Sequence, residues 1–254
     1  MGYDHDRIKA NARLFYKNNM GNSILSVLIV LGVGFGVGMA LSMVTAVPTI
    51  FTGVMGAASE LSTGTEKTAI SAGYVIGMVF VYIIEMAAAI GLYPLTLGLF
   101  GWYRKSIFQK TSLGEMFAPY KKEHILSNIG TMLLTQIFTF LWTLLFIVPG
   151  IIKSYSYSQV SFIKTENPNI PARRAIELSE IMMNGHKGDL FYLHLSFIGW
   201  GILSVFTGHI LGIVYVFPYL YSALSFAYLE VKADAIAKGL IDASEFEYAQ
   251  EKHI

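Results

Sequence analysis

The stretch LFIVPGIIKSYSYSQVSFIK, Leu145 to Lys164, opens as apolar as a membrane-spanning segment. It then meets Pro149-Gly150, sets Lys153 in apolar company and continues through alternating Ser and Tyr. The orientation of everything downstream depends on whether the chain passes a bilayer here once or twice. Length gives the first answer. The apolar block around this stretch runs from Ile125 to Ile163, and a second runs from Leu190 to Leu229. At about 1.5 Å per residue each amounts to about 60 Å of helix. The hydrocarbon core is only about 30 Å thick, so two passages joined by a turn fit where one does not. Each block carries turn chemistry, Pro149-Gly150 in the first and Gly208-His209 in the second.

Two further apolar segments lie upstream. Ile24–Pro48 is long enough to span, and so is Ala72–Gly101, which Glu85 and Pro94 interrupt. Between them TIFTGVMGAASELSTGTEKTAIS is richer in Thr, Ser and Gly and reads as a loop touching the membrane surface. Composition agrees with this picture. The 254 residues are 54% hydrophobic and 14% charged, with mean hydropathy +0.53, whereas soluble domains carry about a quarter charged residues. A net charge of +1 offers no field for nucleic acid. The absence of cysteine excludes disulfides, thiolate metal sites and a Cys nucleophile. The opening residues lack the charged-then-apolar layout of a signal peptide. Asp6 stands where a myristoylation signal needs Ser or Thr.

Positive charge favours cytoplasmic loops, which makes the distribution of Lys and Arg a second test. Six passages with the N-terminus inside put Arg7, Lys9, Arg13 and Lys17 in the first cytoplasmic segment. Arg104, Lys105, Lys110, Lys121 and Lys122 fall in the second, and Lys164, Arg173, Arg174 and Lys187 in the third. The tail holds Lys232, Lys238 and Lys252, so that only Lys67 and Lys153 fall elsewhere. A single passage through the Ile125 block would move the third cluster outside. The expectation is therefore an all-α, polytopic transmembrane helix bundle of about six spans in three helical hairpins. Its segments are a cytoplasmic N-terminal helix (1–23), hairpins at 24–101, 125–163 and 190–229, cytoplasmic segments at 102–124 and 164–189, and a cytoplasmic tail (230–254).

Short amphipathic segments precede the hairpins. PARRAIELSEIMMNG places Ala172, Ala175, Ile176, Ser179, Met182 and Met183 on one helical face, with Arg173, Arg174, Glu177 and Glu180 on the other. RIKANARLFYKNN does the same with Ile8, Ala12 and Phe15, while SLGEMFAPYKKEH is broken by Pro119. Such helices lie along a membrane surface with basic residues, here Arg173 and Arg174, reaching headgroups; a docking face for partners is the alternative. The returning spans share YSQVSF (Tyr157–Phe162) and YSALSF (Tyr221–Phe226), at matching distances into their hairpins, and LTLGLF (Leu95–Phe100) is a fainter echo.

Taken together, LLFIVPGIIKSYSYSQVSFI, NPNIPARRAIELSEIMMNGHKGDLFYLHLSFIGWGIL and FPYLYSALSFAYLEV resemble the domain-of-unknown-function 975 family of bacterial integral membrane proteins. IKANARLFYKNNMGNSIL is similar to that family's opening. The resemblance is most specific between Val148 and Tyr228. It implies a multi-pass protein of a bacterial plasma membrane and brings no catalytic residues.

Glu85, in YIIEMAAAIG, is the foremost candidate for an intramembrane polar site. A charge in mid-span costs about 2.5–3.5 kcal/mol on insertion scales and faces the bundle interior, either marking an ion or substrate path or sitting protonated and hydrogen-bonded. Lys153 follows the expected turn closely, so its stem reaches the outer surface, an ion pair with Glu85 being the alternative. Ser154, Ser158, Ser161 and Thr165 recur at near-helical spacing with Tyr155 and Tyr157 beside them, which suits close helix packing or a hydroxyl-lined path. A Ser-Lys dyad built from Lys153 finds no supporting G-x-S-x-G. GVGFGVG (32–38) inside an apolar span reads as a close-packing face rather than a nucleotide loop. His5, His124, His186, His194, His209 and His253 show no metal-ligand spacing. No catalytic, cofactor-binding or metal set emerges. The leading reading is a non-enzymatic membrane protein that binds or moves a small or lipidic ligand or supports envelope homeostasis, with membrane lipids as partners. A scaffold recruiting partners through its amphipathic helices and the tail IDASEFEYAQEKHI is the second reading, and a lipid-modifying enzyme using Glu85 the third.

Overall fold

The computed structural model describes residues 4–249, without the side chains of 65–70 and 247–249. Lys252, His253 and the Lys67 side chain, all used above, lie outside the described residues. Within them every regular element is helical. The chain divides into two compact units, one built from residues up to Val30 with those from Tyr93 onward, the other from Leu31–Leu92.

Helix α1 (His5–Asn18) starts at Asp4, whose carboxylate accepts the Arg7 N–H. It is followed by α2 (Met20–Leu61) and α3 (Gly64–Phe108). The loop expected over 49–71 is therefore reduced to Ser62-Thr63. Hydroxyl residues do not break these helices because their side chains bond back to the helix itself. Thr45 donates to the Leu41 carbonyl, Thr52 to Thr49, Ser59 to Gly56 and Ser62 to Ala58. Pro48 and Pro94 both lie inside helices rather than ending them. Within the unit 31–92 the two helices meet closely at Thr52 and Gly77, where a Cβ on Gly77 would stand 2.2 Å from Thr52 Cγ2. The GVGFGVG face was expected to do this packing, but no atom lies within 4 Å of a Cβ built at Gly32, Gly34, Gly36 or Gly38.

In the other unit, α4 (Ile125–Leu145) and α5 (Ile147–Ser156) are joined through Phe146, which is extended at φ −158° and ψ 143°. The turn thus falls before Pro149-Gly150, not at it. Pro149 occupies the first turn of α5, where its missing N–H has no intrahelical partner to lose. Gly150 serves the crossing with α4, since a Cβ there would stand 2.6 Å from Thr143 Cα. Helix α5 stops at Ser156, and the chain resumes as α6 (Val160–Glu166). The expected continuous returning span is therefore broken at Tyr157–Gln159, and the Ser154, Ser158, Ser161, Thr165 series is not one helical face. The break is sealed from α7 (Ala172–Met182): Ser179 Oγ accepts the Gln159 N–H at 3.1 Å and donates to the Ser156 carbonyl at 2.7 Å. Two backbone groups freed by the interruption find their partner in one buried hydroxyl. YSQVSF therefore straddles a break, whereas YSALSF lies within a continuous helix, Phe217–Ala237.

The second turn falls where the sequence places it. Helix α8 (Lys187–Phe206) ends at Gly208 and His209, both left-handed at φ 60° and 66°, with the His209 N–H returning to the Ser204 carbonyl at 2.8 Å. One π-helical turn, Gly212–Val216, leads into α9 (Phe217–Ala237), with Pro218 in its first turn.

The amphipathic faces of α1 and α7 are buried as their periodicity requires, but against protein. Ile8, Ala12, Ala175, Leu178, Met182 and Met183 are at most 1% exposed and share one core with Ala223, Ala227, Tyr228 and Val231 of α9. This corrects the expectation that these helices rest their apolar faces on a membrane surface. Small residues on α9 let its neighbours approach. The echoed phenylalanines also meet, since Phe100 lies 5.0 Å from Phe162, which stacks on Tyr228 at 4.7 Å.

Candidate functional site

The C-terminal end of α3, the N-terminal end of α4, the C-terminal end of α6 and the 3-10 helix Leu113–Tyr120 enclose a cavity of about 240 Å³. Glycine makes the enclosure. A Cβ at Gly98 would lie 1.7 Å from the Met116 carbonyl oxygen, so only glycine lets the 3-10 segment rest on α3. At Gly101 the same atom would stand 3.0 Å from Thr165 Cγ2.

Charge is concentrated around this cavity. Glu166, 4% exposed, binds Arg104 Nη1 at 3.1 Å through one carboxylate oxygen and Lys232 Nζ at 2.5 Å through the other. One acid between two bases leaves the triad net positive. Lys164 is 1% exposed. Its ammonium donates to Ser127 Oγ at 2.8 Å and to the carbonyls of Pro168 at 2.7 Å and Ile170 at 2.8 Å. All three acceptors are neutral oxygens. They satisfy its hydrogens, but burial still pushes its pKa down from 10.5 to about 8. Asn128, 3% exposed, donates through Nδ2 to the Pro119 carbonyl at 2.9 Å, which fixes the amide and leaves Oδ1 buried with no partner.

A C-terminal clasp adjoins the triad. Arg174 grips the Glu245 carboxylate with Nε and Nη2, both at 2.8 Å, and Asn167 Nδ2 donates to the Glu245 carbonyl at 2.9 Å. Arg174 holds the Glu245 carboxyl below its usual range. Phe246, 4% exposed, lies 4.3 Å beneath Lys232 Nζ. Arg174, expected to reach lipid headgroups, is thus an internal fastener, while Arg173 remains exposed.

The residues singled out from sequence fall elsewhere. Lys153 does not extend freely to a surface. Its ammonium pairs with Glu180 of α7 and lies 5.1 Å from the Trp142 ring and 5.6 Å from the Tyr157 ring. Tyr155 packs edge-on against Phe191 and His194, and its carbonyl accepts the Ser158 hydroxyl at 2.8 Å. Ser154 and Ser156 likewise donate to their own helix, so no serine is set up as a nucleophile for Lys153. Glu85 belongs to the 31–92 unit and is exposed there. Lys164, Glu166, Arg104, Lys232 and Asn128 escaped attention as a group. Lys164 and Glu166 hinted at themselves only as a cation and an acid closing an apolar run.

Fold and cavity define a class: among the described residues, an all-helical protein with five helices long and apolar enough to cross a membrane, carrying a buried charged cluster where helix ends meet. Residues 136–235 match the model of a family described as "Protein of unknown function (DUF975)", which supports the resemblance drawn from Val148–Tyr228. No curated protein and no solved structure matches the chain.

Proposed function

We propose that the chain is a multi-pass integral protein of a bacterial plasma membrane, with both termini cytoplasmic, and that it binds or moves a small or lipidic ligand without chemically transforming it. The carrying observation is the apolar dress of its long helices. In the hydrophobic windows of α2, α3, α4 and α8 no more than 22% of residues are buried, so apolar side chains such as Phe35, Val47, Leu144 and Phe206 face outward. Outward apolar surface on this scale matches a hydrocarbon solvent. Five passages are single helices. The sixth runs from Ile147 to Ile163 in two pieces, and irregular backbone at membrane depth is tolerated where protein buries and satisfies it; Ser179 does so here, so that α7 dips from the cytoplasmic side into the bundle rather than lying outside it. The charged cavity then opens on the cytoplasmic side, among residues 97–168, and is the ligand site. The scaffold reading loses its docking faces because α1 and α7 spend theirs on the core.

Alkaline carbonate extraction tests the membrane assignment: the protein stays in the pellet, and release into the supernatant would refute it. Mass spectrometry of the intact protein in nanodiscs tests the binding assignment. A retained small molecule or lipid is expected, and it should be lost when Gly98→Leu pushes the Leu113–Tyr120 segment off α3 and opens the cavity wall.

A further inference from the structure

Helix α9 is entered through an interruption, and α1 grips it there. The π-helical turn Gly212–Val216 closes on a wide step, with the Phe217 N–H bonded to the Gly212 carbonyl. Pro218 follows, and it has no N–H to offer the Val214 carbonyl four residues back. Tyr16 of α1 supplies a donor in its place. Its hydroxyl gives a hydrogen bond to the Val214 oxygen at 2.6 Å. Tyr16 is 5% exposed, and its ring stands edge-on to Tyr215 at 5.5 Å. A π turn and a proline are the usual places at which a helix bends. Here the acceptor left by the bend is satisfied from another helix.

The same helix also holds α9 beyond the proline. The Tyr219 hydroxyl donates to the Lys9 carbonyl at 3.3 Å, and Arg7 Nη2 pairs with Glu230 at 2.5 Å. Ile8 and Ala12 share a core with Ala223 and Ala227. Helix α1 therefore bridges the interruption, tied to Val214 and Tyr215 on one side and to Tyr219 and Glu230 on the other. Upstream, the turn is seated on α8: a Cβ on Gly212 would run into Ser204, and Tyr215 meets Trp200 at 5.4 Å. Downstream, α9 carries Lys232 to Glu166 in the charged cluster. We propose that Gly212–Pro218 is a hinge and that α1 is the splint that holds it. Release of Tyr16 frees α9 from Phe217 onward to swing relative to the rest of the bundle, carrying Lys232 off Glu166. The device belongs to the helices themselves and does not depend on what the cavity binds.

The test follows hydrogen–deuterium exchange of the full chain in nanodiscs. Tyr16→Phe removes one oxygen and keeps the ring. Amides of residues 210–224 should then exchange about tenfold faster, while those of α4 keep their rates. Pro218→Ala gives the Val214 carbonyl a main-chain donor. That substitution alone should slow exchange over 210–224, and in its background Tyr16→Phe should change rates less than about twofold. Spin labels on Leu240→Cys and Lys122→Cys, both exposed positions, report the swing. Their distance distribution should broaden with Tyr16→Phe and narrow again when Pro218→Ala is added. Unchanged exchange over 210–224 in Tyr16→Phe, a rise shared equally by α4, or an equal effect of Tyr16→Phe in both backgrounds overturns the splint. If Tyr16→Phe does not accumulate as folded protein, Pro218→Ala alone decides: slower exchange supports the hinge and unchanged exchange overturns it. A distance distribution that Tyr16→Phe leaves unchanged overturns the swing.

Discussion

The two units of the chain bury different things. In the unit built around residues 93–254, Trp102, Tyr103, Tyr228 and even Lys164 are under 2% exposed, and an acid lies between two bases. In the 31–92 unit, Phe35, Met43, Val47 and Ile76 are each about 70% exposed, and the buried polar side chains are hydroxyls, Thr45 and Thr52, bonded to their own helix. One unit is held by long-range packing and charge. The other is held by helix continuity and one tight approach at Gly77. Buried charge is costly unless fully partnered, so the first unit should be brittle to single substitutions and the second tolerant.

The largest effect is expected at Glu166. Glu166→Ala leaves Arg104 and Lys232 facing each other without their carboxylate, a loss of about 3–5 kcal/mol, read as a collapse of the thermal midpoint or of folded yield. A shift of a degree or two would break the contrast. Next comes pH. The folded-state pKa of Lys164, about 8, lies below its ordinary 10.5. The unfolded chain therefore binds more protons between those values, and stability rises with pH across that window by up to about 3 kcal/mol while this group adds no slope below it. Denaturation series at pH 7.5 to 10.5 would reveal the rise, and Lys164→Met should abolish it. Gly98→Ala forces a methyl into the Met116 carbonyl and should cost about 1–3 kcal/mol. Gly34→Ala, with nothing within 4 Å, should be neutral or stabilise by up to about 1 kcal/mol. Equal costs for the two would erase the distinction. The smallest destabilisation is expected at Glu85, exposed on a helix proposed to face hydrocarbon, where Glu85→Gln removes a carboxylate that is costly to insert and should leave stability unchanged or higher.

What was legible in the sequence follows the range of the forces involved. The buried faces of α1 and α7 and the Gly208-His209 turn were readable because helical periodicity and left-handed backbone are local signals. The turn at Phe146 was not. A proline in the first turn of a helix and a proline in a loop look alike, and Gly150 makes sense only beside Thr143. The helical stretch over 49–61 was missed because Ser, Thr and Gly mark loops on average, whereas here the hydroxyls bond inward. The charged cavity was the least readable. Lys164 counted as one more surface cation, yet its partners are Ser127 and two backbone oxygens. Arg104 and Glu166 meet across 62 positions of sequence.

The membrane topology is open to one decisive measurement. The chain has no cysteine, so single cysteines introduced at Asn169 and at Thr207 can be probed in intact cells with a membrane-impermeant maleimide. The proposed topology predicts that Thr207→Cys labels from outside and that Asn169→Cys labels only after the membrane is opened. Labelling of Asn169→Cys in intact cells would contradict the two-passage reading of Ile125–Ile163 and, with it, the cytoplasmic placement of the charged cavity.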